Sequence, residues 1–466
     1  MEEKTKEQLL DEKLQFTKKN VYEEAAPEKC AAILTYAEGY KAFLDAAKTE
    51  REAVAFAVDM AEKAGYTPYR IGDVLKAGDK RYLNNRGRSL FLIRMGSAPL
   101  ETDGVRIIAA HVDSPRLDLK QIPLYEDSGF AFLKTHYYGG IKKYQWTTIP
   151  LALHGTVVRA DGTMLELKIG ECESDPVFYV NDLLPHLGQE QAKKPLGEAI
   201  PGEALNILVG GLPLANDDGG ERIKRGILRH LYENYGMTEE DFISAELCAV
   251  PAYRARDIGF DRALIGGYGH DDRVCAYPAL TALFDSKNDN RTVLIVLADK
   301  EEVGSDGVSG MQCDIIRDLL DAIADSAGVN PAVVRAASMC LSADVNAAYD
   351  PNFADVYERR NSAMISCGTT LSKYTGARGK SSTNDASAEY VGYIRRLFAE
   401  EGVIWQTAEL GRVDAGGGGT VAKYIAKLNI DTVDIGVPVI SMHAPYEVIS
   451  KADLYTTYEA FAAFIK

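Results

Sequence analysis

The chain has 466 residues, more than a single hydrophobic core usually organises, so two domains are expected. Its formal charge of −16 opposes binding to nucleic acid or to an anionic membrane, both of which call for a basic face. Residues 1–10 are charged rather than apolar, and no later stretch is long and apolar enough to span a bilayer, so a cytoplasmic protein is the expectation.

Residues 30–63 space their apolar positions at three and four, so the first hundred residues read as a packed helical cover. Four runs rich in β-branched or apolar residues follow, at 105–110, 292–298, 337–342 and 433–440, each a candidate buried strand. Helical patterns at 274–284 and 311–324 lie between them. This alternation predicts an α/β fold, a mixed sheet sandwiched by helices, with ligands gathered beyond the carboxyl ends of the strands. Residues 120–250 break the rhythm with Gly139-Gly140, an alternating stretch at 156–169 and a polar loop at 188–202. They read as an inserted β-rich domain, which leaves 1–119 and 251–466 as a discontinuous catalytic unit. The four glycines at 416–419 suit either a flexible turn or a close backbone approach to a ligand.

The seven cysteines, Cys30, Cys172, Cys248, Cys275, Cys313, Cys340 and Cys367, form no CxxC pair, which suits a reducing compartment. Histidines also number only seven, so a metal site here must draw mainly on carboxylates. His111 and Asp113 stand two apart at the end of the first run, where the carboxylate can orient the imidazole; alone, such a pair is as compatible with a structural role. Asp271 and Asp272 are adjacent carboxylates before a helical run, a placement that asks for a cation or a helix end, although a solvated turn also accommodates it. Glu301 and Glu302 follow the second run in DKEEVGS. Side chains on extended backbone alternate, so one can serve as ligand and the other as base; a charged surface turn is the plainer alternative. Asp344 and His443 close the third and fourth runs. The ordered set His, Asp, Glu-Glu, Asp, His, each beside an apolar run or a helix start, is harder to explain as separate coincidences than as one site.

HVDSPRLDLK, YYGG with Trp146, DKEEVGS, LSADVNAAYDPN, ELGR and TVDIGVPVISMHAPYE together resemble the aspartyl aminopeptidase and vacuolar aminopeptidase I family of co-catalytic zinc peptidases, over essentially the whole chain. The resemblance implies two divalent ions per subunit, zinc first and manganese or cobalt as alternatives. His111 and Asp344 would complete one, Glu302 and His443 the other, and Asp271 would bridge them. It implies Glu301 as general base, Asp113 as the residue orienting His111, and a dodecamer-like homo-oligomer assembled through the inserted domain. His186, Lys373 and Gly417 are candidate substrate contacts, His186 for a neighbouring subunit's site. The chain departs from the family in carrying Asp271-Asp272 instead of Asp-Asn, Ala347-Ala348 in place of a histidine-containing stretch, Tyr446 where many members have arginine, and no Asp-Arg beside Trp146. A preference for acidic first residues is therefore not implied. The expected activity is removal of N-terminal residues from peptides with a free amine. The alternatives are a carboxypeptidase or an N-acyl amino acid deacylase on the same frame, or a catalytically silent binding protein; a dinuclear phosphoesterase usually uses more histidine.

Overall fold

The computed structural model describes residues 14–216 and 218–466, together with Thr5 and Leu10; the rest of the charged opening stretch lies outside the described residues. The largest sheet has nine strands in the order Thr67–Pro68, Lys80–Asn85, Ser89–Arg94, Thr292–Ala298, Val105–His111, Met339–Ala343, Asp431–Gly436, Thr369–Ser372 and Trp405–Thr407. The four strands from Thr292–Ala298 to Asp431–Gly436 run parallel. Helices cover both faces, which is why these strands are apolar without alternating. Val293, Ile295 and Leu297 enter one core with the helices Pro27–Ala46, Glu50–Lys63, His270–Asp285 and Lys451–Ile465. Leu294, Val296 and Ala298 enter a second core with Ile315–Ser326 and Pro331–Ala337. The fold is thus the mixed sheet between helix layers that the alternation predicts.

A second sheet has seven strands, ordered Met164–Ile169, Leu151–Val158, Ala245–Pro251, Arg116–Asp127, Phe130–Tyr138, Ile207–Gly210 and Tyr179–Val180. All its pairings are antiparallel. It has its own apolar core around Leu117, Trp146, Val157 and Phe242. A third sheet of five strands pairs Leu264–Gly267 with Glu447–Ser450, setting Gly267 opposite Glu447. That pairing draws the turn before Asp271 toward the turn after His443.

Two sequence expectations change. The first hundred residues are not all helical: Lys80–Asn85 and Ser89–Arg94 form an antiparallel hairpin at one side of the main sheet. Every residue of Ser89–Arg94 is buried, and an apolar run covered on both faces carries no period that separates strand from helix. The run at 433–440 is two strands, Asp431–Gly436 in the main sheet and Pro438–Ile440 in the third. Pro438 cannot donate to a ladder, and the residue before a proline is itself restricted, so the chain changes sheets at Val437. No helix among the described residues is long and apolar enough to cross a membrane.

Candidate metal centre

The parallel strands end side by side, with His111 in register with Ala298 and Ala343 with Ile435. His111 is the last residue of its strand, and Glu301, Glu302 and Asp344 come within a few residues of theirs. Asp271 enters from the first turn of the helix His270–Asp285, where Asp271 and Asp272 depart from helical dihedrals and are joined by a cis peptide. All five candidate ligands meet. His111 Nε2 lies 3.1 Å from Asp271 Oδ1 and 3.9 Å from Asp344 Oδ1. His443 Nε2 lies 3.2 Å from Asp271 Oδ2 and 3.6 Å from Glu302 Oε2. Donor atoms of His111, Asp271 and Glu302, and likewise those of His111, Asp272 and Asp344, lie within 4.8 Å of one another. Asp272 therefore stands close enough to matter, although its Oδ2 also accepts the backbone N–H of His111 at 3.4 Å.

Asp113 is the hub of the arrangement. It is fully buried and faces His111 Nδ1 at 3.3 Å. It also accepts the Tyr138 hydroxyl at 2.8 Å and the backbone N–H groups of Glu301 and Glu302 at 3.2 Å each. One carboxylate thus orients an imidazole and sets the glutamate turn, which is bounded by left-handed Lys300 and Gly304. Glu447, also buried, does a similar task opposite: its two oxygens accept the backbone N–H of His443 at 2.7 Å and of Asp271 at 3.2 Å. Tyr138 and Glu447 had no role in the sequence reading, although both stand inside the quoted motifs. The clue there was a tyrosine and two glycines ending an alternating strand, and a glutamate four residues past a histidine.

The electrostatics ask for positive charge. Asp271, Asp272, Glu301, Glu302 and Asp344 share the pocket with two imidazoles. Burial first, then the neighbouring carboxylates, raises Asp272, Glu302 and Asp344. Burial, with Asp113 and Asp271 adding to it and the imidazoles opposing, pushes Glu301 up to about 7. Burial opposes the charged form of His111, yet Asp113 and Asp271 outweigh it and raise the imidazole well above its usual value. Asp271 Oδ1, Asp272 Oδ1 and Glu302 Oε1 are buried acceptors with no hydrogen-bond donor. Carboxylate and imidazole donors converging in this way fit a divalent cation such as zinc, and each imidazole is held by its far nitrogen as a ligand histidine needs to be.

The remaining candidates have other surroundings. His186 is exposed in the short turn Pro185–Leu187. Lys373 pairs with Asp385, and Gly417 packs against Ala377, where an added Cβ would sit 2.5 Å from its Cα. Among the described residues, none of the three bonds to the five candidate ligands.

Residues 43–465 match the family model described as aminopeptidase I zinc metalloprotease (M18). The chain belongs to the M18 aminopeptidase family. It is 47% identical over 455 residues to a probable M18 family aminopeptidase 1 of Clostridium acetobutylicum, covering 96% of this chain and 98% of that one. The crystal structure of an M18 aminopeptidase from Thermotoga maritima matches with a TM-score of 0.92 at 41% identity, over 97% of this chain and 100% of that one. The aminopeptidase 1 dodecamer of S. cerevisiae shares the fold at 20% identity, TM-score 0.74, over 92% and 95% of the two chains. The M18 chain described here is accordingly an enzyme, a metal-dependent aminopeptidase. That is the activity its family carries, in place of the carboxypeptidase, deacylase and silent-binder alternatives.

Proposed function

We propose that this M18 aminopeptidase works with two divalent ions per subunit, zinc first, with Asp271 shared between them. His111 and Asp344 complete one set, Glu302 and His443 the other. The observation that carries the reading is Asp271, whose two carboxylate oxygens face two different imidazoles at 3.1 and 3.2 Å. When bound, such a pair of ions lowers the pKa of water and stabilises negative charge developing on a carbonyl oxygen. Glu301 takes the proton of the attacking water and returns it to the leaving amine. A carboxylate held beside the candidate ligands can take up a proton from the water and hand it on. Asp113 keeps His111 and the backbone of Glu301 in place and does not itself exchange protons with substrate. The carboxylate-rich pocket also favours the ammonium of a free N-terminus over a blocked one.

Residues 120–250 are assigned to assembly and to covering the site, with His186, Lys373 and Gly417 as substrate contacts. The exposed apolar side chains Phe130, Met164, Val177 and Leu187 support a homo-oligomer, as does the dodecamer of the yeast relative. A cytoplasmic location agrees with the free thiols of all seven cysteines. The test is metal counting beside turnover on aminoacyl chromogenic substrates, with zinc, manganese and cobalt supplied in turn. Full activity is expected only at two ions per chain, and full activity at one ion would overturn the proposal.

A further inference from the structure

One short stretch of the second sheet reaches both imidazoles of the candidate site. The strand Phe130–Tyr138 ends there and continues into Gly139 and Gly140. The Tyr138 hydroxyl donates to Asp113 Oδ2 at 2.8 Å, and Asp113 in turn holds His111 Nδ1 through its Oδ1 at 3.3 Å and its carbonyl oxygen at 3.0 Å. Two residues further on, the Gly140 carbonyl lies 2.9 Å from His443 Nδ1. A carbonyl oxygen can only accept, so in both imidazoles Nδ1 carries the proton and Nε2 is left to face the ligand carboxylates.

Tyr138 is itself braced. It stands opposite Arg116 in the sheet register, and the Arg116 guanidinium lies 4.2 Å from the centre of its ring. Arg116 is held by a buried ion pair to Glu50 at 2.7 Å and a partly exposed one to Asp118 at 2.7 Å, which fixes the guanidinium against the ring. The two glycines approach the site closely. A Cβ at Gly139 would lie 3.3 Å from Glu302 Oε2 and 3.2 Å from Pro115, and one at Gly140 would lie 3.3 Å from His443 Nδ1.

We propose that residues 138–140 form a clamp that sets the orientation and tautomer of both ligand histidines, Tyr138 acting on His111 through Asp113 and the Gly140 carbonyl acting on His443 directly. The second sheet is then part of the metal centre of its own chain, and any displacement of that sheet is felt as altered affinity at both ions. Tyr138 and Gly140 are positioning residues, since neither meets the reacting atoms. The proposal rests on the two-ion reading and is tested separately from it.

The experiment titrates metal-free full-length chains with zinc by calorimetry and with cobalt by visible absorption. The chains are wild type, Tyr138→Phe and Gly140→Ala, with Asp344→Ala and Glu302→Ala to identify which ion is which. Tyr138→Phe should weaken by about ten- to a hundred-fold the ion that Asp344→Ala weakens, with a smaller loss at the other because Asp113 Oδ2 also holds the Glu302 backbone, and Gly140→Ala should weaken the ion that Glu302→Ala weakens. Each should alter the cobalt band of its own ion while the melting curve of the metal-free chain stays unchanged. Unchanged affinities and spectra in both variants would overturn the clamp. Equal loss of both ions in both variants, with a lowered melting curve, would overturn it in favour of general loosening. A wild-type chain that takes up one ion sinks the two-ion reading instead, and the clamp then stands or falls on whether either variant weakens that ion.

Discussion

Glu301 and Glu302 are neighbours in sequence, yet the fold gives them different surroundings. The Glu302 side chain is 3% exposed, leaves Oε1 without a donor and faces His443, whereas Glu301 carries no ion pair to either imidazole. Only the backbone of Glu301 is pinned, by Asp113. Glu301→Gln should therefore keep both ions while turnover falls by about a hundred- to ten-thousand-fold, the usual contribution of a positioned base. Metal analysis alongside kinetics decides this, and a variant running close to the wild-type rate removes Glu301 from the role of base. Asp271→Ala should behave in the opposite way and lose both ions together, because each carboxylate oxygen serves a different imidazole. Retention of two tightly bound ions in that variant would rule out a shared ligand. The sequence reads the acids at 301 and 302 as divided by alternation on extended backbone; Glu301–Val303 is instead a 3-10 turn, whose anchoring to Asp113 sets the surroundings of the two side chains.

At the scale of elements, Glu52 joins the helix Glu50–Lys63 to the second sheet, beside Glu50, which meets Arg116, and Arg51, which meets Glu246. Glu52 closes the capping box of that helix, accepting the N–H groups of Lys48 at 2.9 Å and Thr49 at 3.1 Å through one oxygen. Its other oxygen meets His154 Nδ1 at 2.8 Å, and His154 Nε2 meets Glu171 Oε1 at 3.1 Å. Lys48 also reaches Glu171, and Lys168 approaches Glu52 at 3.6 Å. Burial disfavours the charged form of His154, but the two carboxylates outweigh it and raise its pKa above the ordinary 6.5. The sign follows from linkage. A raised imidazole contributes stability that is fully present below 6.5 and is lost as pH climbs through the folded value. The melting temperature should thus fall as pH rises above about 6.5, and His154→Gln should flatten that fall. The expected loss is about 1.5–3 kcal/mol, one charge-assisted hydrogen bond. Equal slopes in the two proteins would show that His154 is not the titrating group. The capping box was within reach of the sequence, as Thr49 and Glu52 stand three apart, whereas the partner of Glu52 lies about a hundred residues away.

For the molecule as a whole, residues 120–250 carry the proposed assembly role together with contacts behind the candidate ligands. Deleting them removes Tyr138 and Gly140 as well as the exposed apolar side chains of the second sheet. Smaller particles with little activity are expected, read by light scattering and turnover. Particles of unchanged size would take assembly away from this stretch. His186 offers a finer measurement, since it is exposed and, among the described residues, bonds to none of the candidate ligands. His186→Ala should lower turnover with metal content and particle size unchanged. Mixing it with Glu301→Gln chains should restore part of the activity, each chain supplying what the other lacks. Full activity in His186→Ala alone would leave that histidine a surface residue.

The sequence by itself determined the α/β class, the buried strands of a mixed sheet, the family resemblance and the chain order of the candidate ligands. These depend on local pattern: apolar runs long enough to be buried, each closed by an acid or an imidazole. It did not determine the hairpin at Lys80–Asn85 and Ser89–Arg94, because a strand covered on both faces loses its period. Only the tertiary structure decided which oxygen of Asp271 faces which histidine, that Asp113 serves both His111 and the glutamate turn, and where the run at 431–440 leaves one sheet for another. It also decided the contacts behind the ligands. Gly140 meets His443 across 303 positions of sequence, and Asp271 meets Glu447 across 176. No spacing rule spans such separations, since the partners are brought together only when the sheets pack and buried polar groups such as these find the donors or acceptors that offset their lost water.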